Sequence, residues 1–140
     1  MPDSVHPTDP AMAVAASALR AQQARMRVIA ENIANADSIG RAPGADPYRR
    51  QSPVFTPATV DGGGQGVRFT GAAPDQSPFR QEYSPGNPAA DARGYVKMPN
   101  VDPLVEALDM RAAQRAYDAN LNVIETARAM TTRTLDILKK

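Results

Sequence analysis

The chain has 140 residues, a formal net charge of +1, 42% apolar and 5% aromatic residues, and no tryptophan or cysteine. That length suits one domain, and the charge balance gives no general attraction to nucleic acid or membrane. The missing cysteines exclude disulfides, thiolate metal sites and cysteine nucleophiles.

Proline and glycine punctuate what remains. Nine of the thirteen prolines and all nine glycines fall between Gly40 and Asp102, while residues 11–39 and 104–140 contain neither. Proline breaks helix interiors and glycine weakens them. The reading is therefore mainly α: two terminal helices packed as a coiled coil, with an irregular, β-rich middle insert. Four stretches follow: a leader over 1–10, an N-terminal helix over 11–39, a middle region over 40–102 and a C-terminal helix over 103–140. Residues 11–140 form one assembly unit.

The leader MPDSVHPTDP carries three prolines and no hydrophobic pattern, so it is expected to be disordered. It lacks the basic and apolar regions of a cleavable signal peptide, and any export needs another route. The first helix carries a seam at Met12, Ala15, Leu19, Gln22, Met26, Ile29, Ile33 and Ala36. The intervals alternate three and four, which is the coiled-coil period of about 3.5. Arg20, Arg27 and Glu31 fall away from it, in solvated positions. Asn35 to Gly40 closes the helix, with Gly40 or an asparagine expected as a left-handed cap.

Short strands are expected at Tyr48–Phe55, Gly66–Thr70, Phe79–Tyr83 and Tyr95–Met98. Asp61-Gly62-Gly63-Gly64 reads as a hairpin tip and Ser84-Pro85-Gly86-Asn87-Pro88 as a second turn. The second helix opens with Asp102 as N-cap, Pro103 at the first position and Glu106 in the first turn. No run of about 18 apolar residues occurs in it or elsewhere, so nothing reads as membrane-spanning.

The second helix has two apolar stripes. One runs through Leu108, Ala112, Ala116, Ala119, Val123, Ala127, Met130 and Ile137; the other through Ala113, Tyr117, Leu121, Ile124, Leu135 and Leu138. At about 100° per residue they lie roughly a third of a turn apart. A single partner helix covers one stripe, so the other is expected to meet neighbouring subunits. A chain of this kind is expected to be partly ordered alone and to gain order on joining a polymer. Asn120 lies between the stripes, as a buried register-setting residue or as a stripe-edge residue bonded to water. Asn32 and Asn35 read as helix-end residues.

Catalytic chemistry is missing. His6 lies in the leader, the Gly62–Gly66 run lacks the Lys-Ser/Thr ending of a phosphate loop, and no carboxylate pair is set in an apolar pattern. Tyr48-Arg49-Arg50-Gln51 reads as an exposed strand edge more readily than as a nucleic-acid contact. Neither a cofactor nor a small-molecule ligand is expected. Nothing points to an enzyme.

Several runs carry a family resemblance. Ala18–Gln22 with Val28–Asp37 resembles the N-terminal motif of the bacterial flagellar rod, hook and axial proteins, and Arg115–Asn120 resembles their second motif. Pro47–Gln51, Tyr83–Asp91 and Gly94–Val101 narrow the likeness to the proximal rod type. The resemblance implies a structural subunit of the basal body, exported unfolded by the flagellar type III apparatus and polymerised helically in the periplasm around a central channel. Implied partners are further copies, the other proximal and distal rod proteins, and the export-gate adaptor. Asn32, Asn35, Arg115, Tyr117 and Asn120 match its motif positions.

The residues expected at subunit interfaces are Leu19, Met26, Ile29, Asn32, Ile33, Asn35, Leu108, Arg115, Tyr117, Asn120, Leu121, Val123, Ile124, Met130, Leu135 and Ile137. A small helical hairpin docking on a cytosolic partner is the alternative reading.

Overall fold

The computed structural model describes residues 9–140. The expectation of a disordered leader, with His6 in it, therefore lies outside the described residues over 1–8. Asp9 and Pro10 depart from it. The Asp9 carboxylate accepts a hydrogen bond from the Ala11 amide at 3.0 Å, and Pro10 opens helix α1 (Pro10–Ala34). Asp-Pro is a helix start because the aspartate satisfies an orphan amide and proline has none to lose.

Helix α1 ends without a left-handed residue. Asn35 caps it at φ −106°, its backbone and side-chain nitrogens both donating to the Glu31 carbonyl. Gly40 is needed for a different reason from the one expected. A Cβ there would stand 2.7 Å from both the Ala45 side chain and carbonyl, so the loop closes only over a missing side chain.

Strands β1 (Gln51–Thr59) and β2 (Gln65–Pro74) form an antiparallel hairpin, and β3 (Arg80–Tyr83) and β4 (Tyr95–Met98) form a second, smaller one. The glycine tip and the second turn fall where the sequence places them, with Gly62 and Gly63 at positive φ. The first hairpin runs longer than expected at β2 and has a bulge. Val54 pairs with Gly71 and Phe55 with Phe69, which leaves Thr70 as the extra residue, its hydroxyl bonded to the Val54 carbonyl. Gly71 at φ +138° absorbs the distortion, as glycine does at bulges. Both hairpins carry an aromatic cross-strand pair, Phe55 with Phe69 and Tyr83 with Tyr95.

Helix α2 (Pro103–Leu138) starts as expected, with the Asp102 carboxylate accepting from the Leu104 and Val105 amides. It packs antiparallel on α1: Asp109 pairs with Arg25, and Asn120 and Val123 flank Ala11 and Ala15. The hairpin β1–β2 lies against a second side of α1.

This second contact corrects the heptad reading of α1. The deepest α1 positions are Ala15, Ser17, Ala21, Ala24, Val28, Ile29 and Asn32, whereas Met12, Leu19, Gln22 and Met26 are half-buried and Ile33 is 39% exposed. Ser17 shows why. Its hydroxyl accepts from the Val67 amide at 3.2 Å, and Gly66 comes so close that an added Cβ would meet the Ser17 oxygen at 2.4 Å. Small residues at 17, 21 and 24 exist to seat a hairpin, and a one-seam template does not contain that partner.

Candidate assembly surface and the polar junction behind it

Where α1 ends and α2 begins, five distant parts of the chain converge on polar side chains. Asn32, 1% exposed, is saturated by the chain itself. Its oxygen accepts from the Tyr48 hydroxyl at 2.8 Å and the Gln51 amide at 2.9 Å, and its nitrogen donates to the Gln51 carbonyl at 2.8 Å and to Glu106 at 3.4 Å. Glu106, fully buried, also accepts from the Arg50 guanidinium. Arg50 reaches further to Ser52 and Asp75, and its amide donates to Asn100 at 2.7 Å. Asn100 then donates to the Asp75 and Ser77 carbonyls. A buried carboxylate is tolerable only when paired and hydrogen-bonded, and here it is both.

The charges respond to the arrangement. Burial disfavours the Arg50 cation, but the bond and charge of Glu106, then Asp75, outweigh it and hold its pKa above the ordinary value. Burial, then Glu31 and Glu106, push the Tyr48 phenol up, keeping it a neutral donor. The Ser77 backbone and side chain donate to Asp75 and, with Arg50, pull its carboxyl down against a smaller burial effect. So Tyr48-Arg49-Arg50-Gln51 is not the exposed strand edge expected. Tyr48 and Arg50 turn inward, while Arg49 stacks on the Phe79 ring at 4.1 Å. Sequence reading missed Tyr48, Arg50, Asp75 and Asn100, and it took Glu106 only for a dipole-facing acid.

The expected interface residues divide accordingly. Ile29 and Asn32 are buried within the chain, and Asn35 is the helix cap. Tyr117, Asn120 and Ile124 are half-buried towards α1, and the Asn120 amide bonds to the Ala116 carbonyl one turn back at 2.7 Å. Leu108 (59%), Val123, Met130 (64%), Leu135 and Ile137 (73%) stand exposed, as does Arg115, and Leu121 is 38% exposed. Leu108, Val123, Met130 and Ile137 lie on one side of α2, beside the face that α1 covers. Next to Val123 and Met130 an open apolar groove of about 690 Å³ runs past Ala11 and Thr134.

Two family models match the chain. One, described as flagella basal body rod protein, covers residues 12–40. The other, the C-terminal part of flagellar basal body rod FlgEFG proteins, covers residues 92–137. The matched segments are the helix pair and the approach to its second member, and they define the class: a rod protein of the flagellar basal body. Relatives narrow it. The basal-body rod protein FlgC of Agrobacterium fabrum is 48% identical over 135 residues, covering 95% of this chain and 96% of that protein. FlgC of Salmonella typhimurium is 43% identical, covering 89% and 92%, and FlgC of Borreliella burgdorferi is 40% identical, covering 90% and 94%. The chain belongs to the FlgC family of flagellar basal-body rod proteins. It is thus a structural component of the basal-body rod and not an enzyme.

Proposed function

We propose that the chain is a proximal rod subunit, carried unfolded through the flagellar type III apparatus and polymerised helically around the central channel in the periplasm. Its partners are copies of itself, the other proximal and distal rod proteins and the export-gate adaptor. The two terminal helices pack there as a coiled coil. Leu108, Val123, Met130 and Ile137 face neighbouring subunits, with Leu121, Leu135 and Arg115 on the flanks, and Leu19, Met26 and Ile33 supply the corresponding strip of α1.

One observation carries this reading: Leu108, Val123, Met130, Leu135 and Ile137 of α2 stand exposed, whereas the only apolar positions the helix buries fully, among the described residues, are Ala113 and Ala127. Exposed leucine and methionine over so long a helix is an interface pattern. Each such side chain, once covered, contributes roughly 1.5–3 kcal/mol. Val123→Asp and Met130→Asp should each abolish incorporation into isolated basal bodies and swimming, with secretion retained. Wild-type incorporation by both variants would remove the reading.

A further inference from the structure

Helix α1 and the β1–β2 hairpin enclose a second open groove of about 690 Å³, lined by Arg20 and Arg27 from α1 and Arg68 from β2. Ala13, Ala16 and Ala24 line it beside the two α1 arginines, and Arg27 lies 5.6 Å over the Phe69 ring. All three arginines are exposed, and none forms an ion pair among the described residues. Asp61 is the one acid on the groove wall, and Glu31 lies one turn beyond Arg27.

On its exposed face helix α2 carries two acids, set among Arg111, Arg115 and Arg128. Asp118 and Glu125 are exposed and unpaired among the described residues, with the part-exposed Leu121 between them. Arg115 and Arg128 lie one turn away and pair with neither. Both sets have the same spacing: Arg20 to Arg27 and Asp118 to Glu125 are each seven residues, about 10 Å of helix. At about 100° per residue, Asp118 and Glu125 point away from Ala113 and Ala127, the positions α1 buries. The groove contains no residue of α2. The two matched ridges therefore cannot meet within one chain.

We propose that they meet between chains, the Asp118–Leu121–Glu125 ridge of one copy lying in the Arg20–Arg27–Arg68 groove of the next. Leu121 meets the groove's alanines, and the two carboxylates face the two α1 arginines in register. Because groove and ridge are different surfaces, the contact is heterologous, and repetition makes a ring or an open helix. The inference rests on the rod-subunit reading and names the surface by which copies join.

The chain has no cysteine, which makes the test direct. A variant carrying Arg20→Cys and Asp118→Cys, oxidised at low salt, should give a ladder of covalent oligomers, while either single variant stops at dimers. R20E/R27E and D118K/E125K should each weaken self-association by about tenfold or more. Mixing the two variants should restore it, since each then meets a complementary neighbour. Rising salt should weaken the wild-type contact. A double-cysteine variant that stays monomeric, or reversal variants that associate as wild type does, would overturn the pairing. The two readings fail separately. Basal bodies that contain R20E/R27E protein at wild-type levels refute this contact alone, whereas basal bodies without the wild-type protein refute the rod assignment.

Discussion

Glu106 offers the sharpest energetic prediction. Glu106→Ala removes the buried acceptor of Arg50 and one acceptor of Asn32. Stranding one partner of a buried ion pair costs about 3–5 kcal/mol. Here the stranded cation keeps Asp75 and Ser52, and 23% of its side chain reaches solvent. The discounted expectation is about 2–3 kcal/mol, enough to lower the melting temperature by roughly 5–10 °C in a domain of this size. Urea unfolding followed by circular dichroism measures it. Glu106→Gln, which keeps the shape and an acceptor oxygen, should cost clearly less than Glu106→Ala. Arg50→Ala combined with Glu106→Ala should cost less than the two single losses added together. If Glu106→Ala unfolds within about 0.5 kcal/mol of wild type, a shift ordinary for a surface change, the junction does not fix the helix ends and the reasoning fails.

Gly66→Ala sets a Cβ against the Ser17 hydroxyl and Val60 and should cost about 1–3 kcal/mol by overpacking, measured in the same urea experiment; Ser17→Gly should relieve part of that loss. Tyr48→Phe deletes one of the two donors to the Asn32 oxygen and should cost about 0.5–1.5 kcal/mol, with no change in incorporation into basal bodies. Asp75 has a depressed folded-state pKa, so its contribution is present above its unfolded value of about 3.9 and is lost as pH falls through the folded value. The unfolding free energies of wild type and Asp75→Asn, measured in urea, should therefore differ at neutral pH and converge on acidification; a constant difference contradicts the assignment.

The terminal helices, the glycine hairpin tip and the Asp102-Pro103-Glu106 helix start were legible because each rests on local chemistry: a missing amide, a positive φ, a side chain bonded two residues away. The family resemblance was legible for a similar reason, as short contiguous runs in fixed order. The polar junction was not. Asn32, Arg50, Asp75, Asn100 and Glu106 are scattered over 75 positions, and each looks ordinary in its own window. A trace was present in two adjoining arginines beside a tyrosine in an otherwise neutral chain, but charge alone does not reveal a buried partner. Helix α1 was misjudged for a related reason. Its heptad seam provides for one partner, whereas Ser17, Ala21 and Ala24 are the seat of the hairpin, and low side-chain volume there reflects closeness rather than lack of contact.

On the rod-subunit proposal, the end of α2 beyond Ala127 is covered by other subunits and not by this chain. Hydrogen exchange along α2, compared between dilute protein and assembled rods, reads this coverage residue by residue. Residues 130–138 should exchange rapidly in the dilute protein and become protected on assembly, while the turns around Glu106, Ala113 and Ala127 are protected in both. Strong protection of 130–138 in dilute, single molecules would contradict it.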